Sequence, residues 1–161
     1  MTKALVVDAR EKDSFDFGGL SVRWKVDGNQ TGGRFSVVHH PIAPHALGAP
    51  LHYHHNEDEL SYVLTGRLGA LLGDDVVTAE PGTWVFKPRQ QWHTFWNAGE
   101  TPCEIIEVIS PAGFENYFRE VAEAWGDMTR FAHINQKYAL EMRFESVPDL
   151  CQRFGLTFPA L

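Results

Sequence analysis

The fold class the chain predicts is an antiparallel β sandwich or barrel with helices at its C-terminal end, and three observations predict it. Short runs of alternating polar and apolar residues recur at even spacing over the first two thirds. Gly, Pro, Asn and Asp separate them. Beyond Pro111 the apolar residues instead recur at three- and four-residue steps, the period of a helix.

Ser21 to Val26 alternates, with Val22, Trp24 and Val26 on one face, and meets the turn signal Asp27-Gly28-Asn29. Arg34 to Val38 is the next strand, and Pro41, Pro44, Gly48 and Pro50 break the segment after it. Leu51 to His54, Glu59 to Thr65, Arg67 to Leu72, Val76 to Ala79, Thr83 to Lys87, His93 to Trp96 and Glu104 to Ser110 complete nine strands. Phe114, Tyr117, Phe118, Val121, Ala122 and Trp125 form one stripe of a helix that stops near Gly126. A weaker helical pattern runs from about Met128 to Leu140. Ser146 with Asp149 resembles an N-cap for a short helix closed by Gly155.

The chain's 161 residues, 43% hydrophobic and 22% charged, suit one globular domain with its own core and leave no room for a second catalytic domain. We place the barrel at about 20–110 and the helical extension at about 111–161. A formal charge of -7 repels phosphate backbones and anionic lipid, which excludes nucleic acid and membranes as expected partners. No apolar run approaches the roughly 20 residues that cross a bilayer, and MTKALVVDAREKD turns acidic before a signal-peptide core develops; the expected location is cytoplasmic. Cys103 and Cys151 stand alone and read as buried thiols.

Chemistry concentrates in one region. Six of the eight histidines (His39, His40, His45, His52, His54, His55) fall between positions 39 and 55, and Trp84, Trp92 and Trp96 surround His93. In a strand, His52 and His54 project to one face, close enough to share a cation. Glu59 opens the next strand and His93 a later one, so three imidazoles and one carboxylate can converge. His55 and Glu57 are the competing choices, but His55 lies on the opposite face from His52, so both, with Asp58, are assigned to the loop or rim. His39, His40, His45 and His133 read as solvated or core-satisfied histidines.

The pattern His52-x-His54-x(4)-Glu59-x(6)-Gly66 resembles the first motif of the cupin superfamily, and Gly82-x(5)-Pro88-x(4)-His93-x(3)-Asn97 resembles the second. Ser110-Pro111-Ala112-Gly113-Phe114-Glu115 is similar to a segment that comes after the barrel in single-domain, quercetin-dioxygenase-like cupins. Two loop positions depart from the pattern: Gln90 stands where a glycine is usual, and Gly48 lies two residues nearer the histidine than expected. The resemblance implies a double-stranded β-helix, that is, a jelly-roll barrel. It also implies one divalent first-row transition metal per chain, held by His52, His54, Glu59 and His93. Imidazole and carboxylate donors suit iron, manganese, nickel, copper or zinc, and the lack of thiolates argues against a closed structural zinc centre.

The implied reaction is a metal-dependent dioxygenation of a flavonol-like or other enolisable aromatic small molecule, with Glu59 as catalytic base. Phe35, Val63, Trp84, Phe86 and Phe95 are the expected walls of the substrate pocket. A non-catalytic metal-dependent binder and a metal-dependent isomerase or lyase are the alternatives. Glu107 reads as a strand-surface carboxylate, the alternative being a hydrogen-bond partner to the site. A homodimer is expected, to cover the face bearing Val22, Trp24 and Val26.

Overall fold

Each expected strand finds a partner in one of two sheets that face each other. A computed structural model describes residues 3–8 and 13–159. The strands are β1 (Ser14–Asp16), β2 (Ser21–Val26), β3 (Ser36–Ile42), β4 (Leu51–His54), β5 (Asp58–Thr65), β6 (Leu68–Leu72), β7 (Asp75–Ala79), β8 (Trp84–Lys87), β9 (His93–Asn97), β10 (Cys103–Ser110) and β11 (Leu140–Arg143). One sheet has the order β1-β2-β3-β10-β5-β8 and the other β11-β4-β9-β6-β7, with every pair antiparallel. The fold is a mostly β two-sheet sandwich with C-terminal helices, the architecture the sequence predicts.

The inner face of the first sheet changes character along its length. On β5, Glu59, Ser61 and Val63 are buried; on β10, Cys103, Ile105, Glu107 and Ile109; on β8, Val85 and Lys87. At one end Val63, Val85, Cys103 and Ile105 pack with Leu68, Ala70 and Phe95 into an apolar plug. The other end carries Glu59, Lys87 and Glu107.

The extension covers the open end of the barrel. Phe114, at the N-terminal cap of helix α2 (Glu115–Glu123), packs with Tyr117 and Val121 of α2 and Phe131 and Ile134 of helix α3 (Met128–Lys137) in one core with Val22, Val38 and Ile109. Val22 is fully buried, and the Trp24 indole N–H donates to the Glu115 carbonyl at 2.8 Å. Val22 and Trp24, two of the three residues on the face expected to need a second copy, therefore pack against the chain's own C-terminal extension.

Four details differ from the sequence reading. Asp27-Gly28-Asn29 opens a four-residue helix, α1 (Gly28–Thr31). Strand β3 runs through Pro41 to Ile42, because β10 pairs with it along its whole length, Glu104 opposite Pro41 and Cys103 opposite Ile42, and Leu20 bridges Ile42 on the other side. The extension includes β11, which pairs with β4. The last helix, α4 (Val147–Phe154), closes at Gly155 with φ 66°, as expected, but Ser146 does not cap it. Its hydroxyl instead accepts from the Leu51 N–H at 3.0 Å and donates to the Arg143 carbonyl at 2.6 Å.

Candidate metal centre

Register brings the four proposed ligands together. His52 on β4 lies opposite His93 on β9, and His54 comes next on the same face. Glu59 reaches in from β5 of the facing sheet. One donor atom from each of the four lies within 4.8 Å of the others, and all four residues are buried.

The tautomers show what the cluster lacks. His52 Nδ1 donates to the Pro50 carbonyl at 2.8 Å and His93 Nδ1 to the Gln91 carbonyl at 3.0 Å. A carbonyl only accepts, so each neutral ring presents an unprotonated Nε2 to the cluster. His93 Nε2 then faces Glu59 Oε2 at 3.3 Å, lone pair to lone pair, and His54 Nε2 lies 3.5 Å from Glu59 Oε1 with no hydrogen-bond partner. Burial holds the pKa of His52 well below the usual imidazole value and lowers that of His93, which opposes protonation as a remedy. A cation among these atoms satisfies all of them, so the donor set fits a divalent metal.

Beside the cluster lies a buried ionic chain. Lys87 Nζ is 3.1 Å from Glu59 Oε2 and 2.8 Å from Glu107 Oε2, and the Ser61 hydroxyl donates to Glu107 Oε2 at 2.9 Å. Burial raises the Glu59 pKa, but Lys87 and the neighbouring histidines outweigh it and hold the carboxyl well below its usual range. Burial also works against the Lys87 ammonium, yet Glu107 and Glu59 raise its pKa above the ordinary value. Glu107 goes the other way: burial, with the nearby charge of Glu59, pushes it up to about 7 against the pull of Lys87. Glu107 is thus buried rather than on the strand surface, and its Oε1 has no partner.

The cluster opens into a small cavity of about 50 Å³. Glu107, His40 and Phe95 line it from the barrel, Phe114, Tyr117 and Phe118 from the start of the extension, and Leu140 and Met142 from β11. Gly48 permits this arrangement, since a Cβ there would lie 2.4 Å from the Phe95 ring. A second, larger apolar space of about 90 Å³ shares Leu20, Ala49, Tyr117, Phe118 and Met142 with the first and continues past Phe17, Trp125 and Phe144. Among the described residues no lysine or arginine lines either.

Of the five expected wall residues, Phe95 lines the cavity and four do not. Trp84 and Phe86 are 56% and 57% exposed, on the outer side of β8. Directly opposed residues share a face, and Glu59 is opposite Lys87, so Lys87 and Val85 take the inside and Trp84 packs outside on Tyr62. Val63 belongs to the apolar plug, and Phe35, before β3, is 36% exposed. Glu57, expected at the rim, is buried with Oε2 3.6 Å from His54 Nδ1. His40 is buried in the cavity wall, with Nδ1 donating to the Ser21 carbonyl at 3.0 Å. His39, His45 and His55 pair with Glu104, Glu100 and Glu141 away from the cluster. Gln90 has φ 64°, the left-handed conformation in which glycine is usual. Cys103 is buried and Cys151 half-buried, both free. No helix among the described residues is long and apolar enough to cross a membrane.

No curated protein sequence matches the chain. The structure is similar to that of KdgF from Halomonas sp., at 20% identity over 71% of this chain and 99% of that one, with a TM-score of 0.62. It is also similar to a predicted oxalate decarboxylase from Thermotoga maritima, at 20% identity over 66% and 99%, with a TM-score of 0.60. A nucleoside dehydratase from Streptomyces superposes at 16% identity over 71% and 88%, with a TM-score of 0.57. Residues 38–109, which span β3 to β10 and contain all four candidate ligands, match the cupin domain family, and the molecule has the cupin fold.

Proposed function

We propose that this chain is a metal-dependent enzyme that dioxygenates a flavonol-like or other enolisable aromatic small molecule. The observation that carries the reading is the wall of the cavity: mostly aromatic and aliphatic side chains, with His40 and Glu107, surround the candidate centre, and among the described residues no lysine or arginine lines it to receive a phosphate or sugar acid. His52, His54, Glu59 and His93 would hold the ion. When bound, a divalent first-row metal supplies Lewis acidity at the cavity floor and, for iron, manganese, nickel or copper, a means of engaging dioxygen.

The chain's own groups do the rest. Phe95, Phe114 and Phe118 bind a planar ring and exclude water. The Tyr117 hydroxyl donates to Asn135 Oδ1 at 2.9 Å, which turns its polar end away and leaves its ring to the cavity. Glu59, expected as the base, shares Oε2 with Lys87 and is a weak proton acceptor. Glu107 suits that task better: Lys87 and Ser61 fix Oε2, Oε1 is free, and its pKa of about 7 matches neutral operation. It takes the proton from the substrate hydroxyl onto Oε1.

The same carboxyl favours a second reading, a metal-dependent isomerase or lyase, because proton shuttling alone drives such reactions. Oxygen uptake separates the two. Protein loaded in turn with iron, manganese, nickel or copper is given a panel of flavonols and catechols in an oxygen electrode cell, and uptake with at least one aromatic is expected. Conversion without uptake supports the isomerase or lyase, and saturable binding without conversion makes the protein a binder.

A further inference from the structure

Lys87 is the one buried lysine or arginine among the described residues, and the proposed reaction gives its charge no task of its own. Its position is overdetermined. The Glu59–Lys87 register sets it on the inner face, Glu107 and Glu59 flank its ammonium at 2.8 and 3.1 Å, and the Phe95 ring centre lies 5.0 Å away. The side chain is 1% exposed. A fixed positive charge thus sits on one oxygen of a candidate metal ligand, where the low dielectric leaves its field poorly screened.

We propose that Lys87 is an internal counter-cation that sets the affinity of the His52, His54, Glu59 and His93 centre for its metal, with Glu107 tuning it. The ammonium neutralises Glu59 while the centre is empty and opposes an arriving dication. Glu107 draws part of that charge toward itself, which leaves Glu59 more negative. Removing the two partners therefore has opposite effects. Lys87→Met tightens metal binding and Glu107→Gln weakens it. The inference rests on the reading of the four side chains as a metal centre, and it concerns affinity rather than turnover.

The test uses the full chain and zinc chloride at pH 8, with affinity measured by chelator competition and thermal unfolding monitored with and without zinc. Lys87→Met should bind zinc about tenfold or more tighter than wild type, melt lower when metal-free, and gain more from zinc. Glu107→Gln should bind about tenfold weaker. It should cost less in the Lys87→Met background than in wild type, because the charge it steers is gone. If Lys87→Met folds only with metal, the Lys87→Met/Glu107→Gln double variant carries the comparison and should still bind tighter than wild type. A residue that merely props the barrel would weaken binding when either partner is removed. Equal or weaker zinc binding by Lys87→Met and by the double variant overturns the inference while leaving the metal centre intact; a wild type that binds no zinc sinks the metal centre itself, and the inference with it.

Discussion

His54 Nδ1 lies 3.6 Å from Glu57 Oε2, and neither atom has a hydrogen-bond partner although both are buried. His52 and His93 are oriented by backbone carbonyls, whereas the Nδ1 of His54 has a carboxylate, that of Glu57, as its neighbour. A carboxylate behind a ligating imidazole raises its basicity and fixes its ring. Glu57→Ala should lower metal affinity roughly 10- to 100-fold, as read by chelator competition, with little change in secondary structure by circular dichroism. Unchanged affinity would remove Glu57 from the site.

The ligands themselves should behave differently from the other histidines. His52→Ala, His54→Ala and His93→Ala should each lose most of the metal found in wild type by elemental analysis, because each leaves the set one donor short. His55→Ala and His133→Ala should keep it, since His55 pairs with Glu141 and His133 Nδ1 donates to the Thr129 carbonyl, both outside the cluster. Full metal in all five variants would refute the ligand assignment.

Glu59 and Glu107 should separate binding from turnover. At saturating metal, Glu107→Gln should lower turnover by roughly 10²- to 10⁴-fold and abolish the limb of the pH profile at about 7, while an aromatic ligand still binds. The effect of Glu59→Gln should fall first on metal affinity, through the lost charge. A profile that keeps its limb in Glu107→Gln would return the role of base to Glu59 or to another group.

His40 gives a pH dependence of stability. Burial, only partly offset by its bond to Ser21, lowers its pKa to about 4 in the folded chain from the ordinary 6.5. The unfolded chain therefore binds the extra proton between those values. The stability that neutral His40 contributes is complete above pH 6.5 and is lost as pH falls toward 4, by about 3 kcal/mol in all. Urea unfolding of the metal-free protein at about pH 7 and about pH 4 should show a smaller loss in His40→Gln than in wild type. An equal loss would show that other groups dominate.

The nine expected strands and the convergence of His52, His54, Glu59 and His93 were legible because alternation reports strand faces and HxH sets two side chains on one of them. Lys87 and Glu107 were not legible: a single charge within an apolar alternation reads as exposed, and only the pairing of β8 and β10 with β5 turns both inward. The same register explains Trp84 and Phe86, whose shared face was apparent but not its direction. Phe114, Tyr117 and Phe118 showed as a helical stripe, yet nothing local says that the stripe roofs the barrel. Strand β11 is four residues long and comes after Ala139 at φ 49°, too short a run to announce a strand after a helical pattern.

Pairing of β11 with β4 sets Leu140 opposite His54 and Met142 opposite His52. Without it, the ligand-bearing strand would form the rim of its sheet, with a row of unpaired backbone groups open to any passing strand. The matched segment 38–109 contains every candidate ligand but not this seal. A chain cut after Gly126 would keep all four donors and expose the strand that holds two of them, so the last third of the sequence protects the centre from self-association as well as walling its cavity.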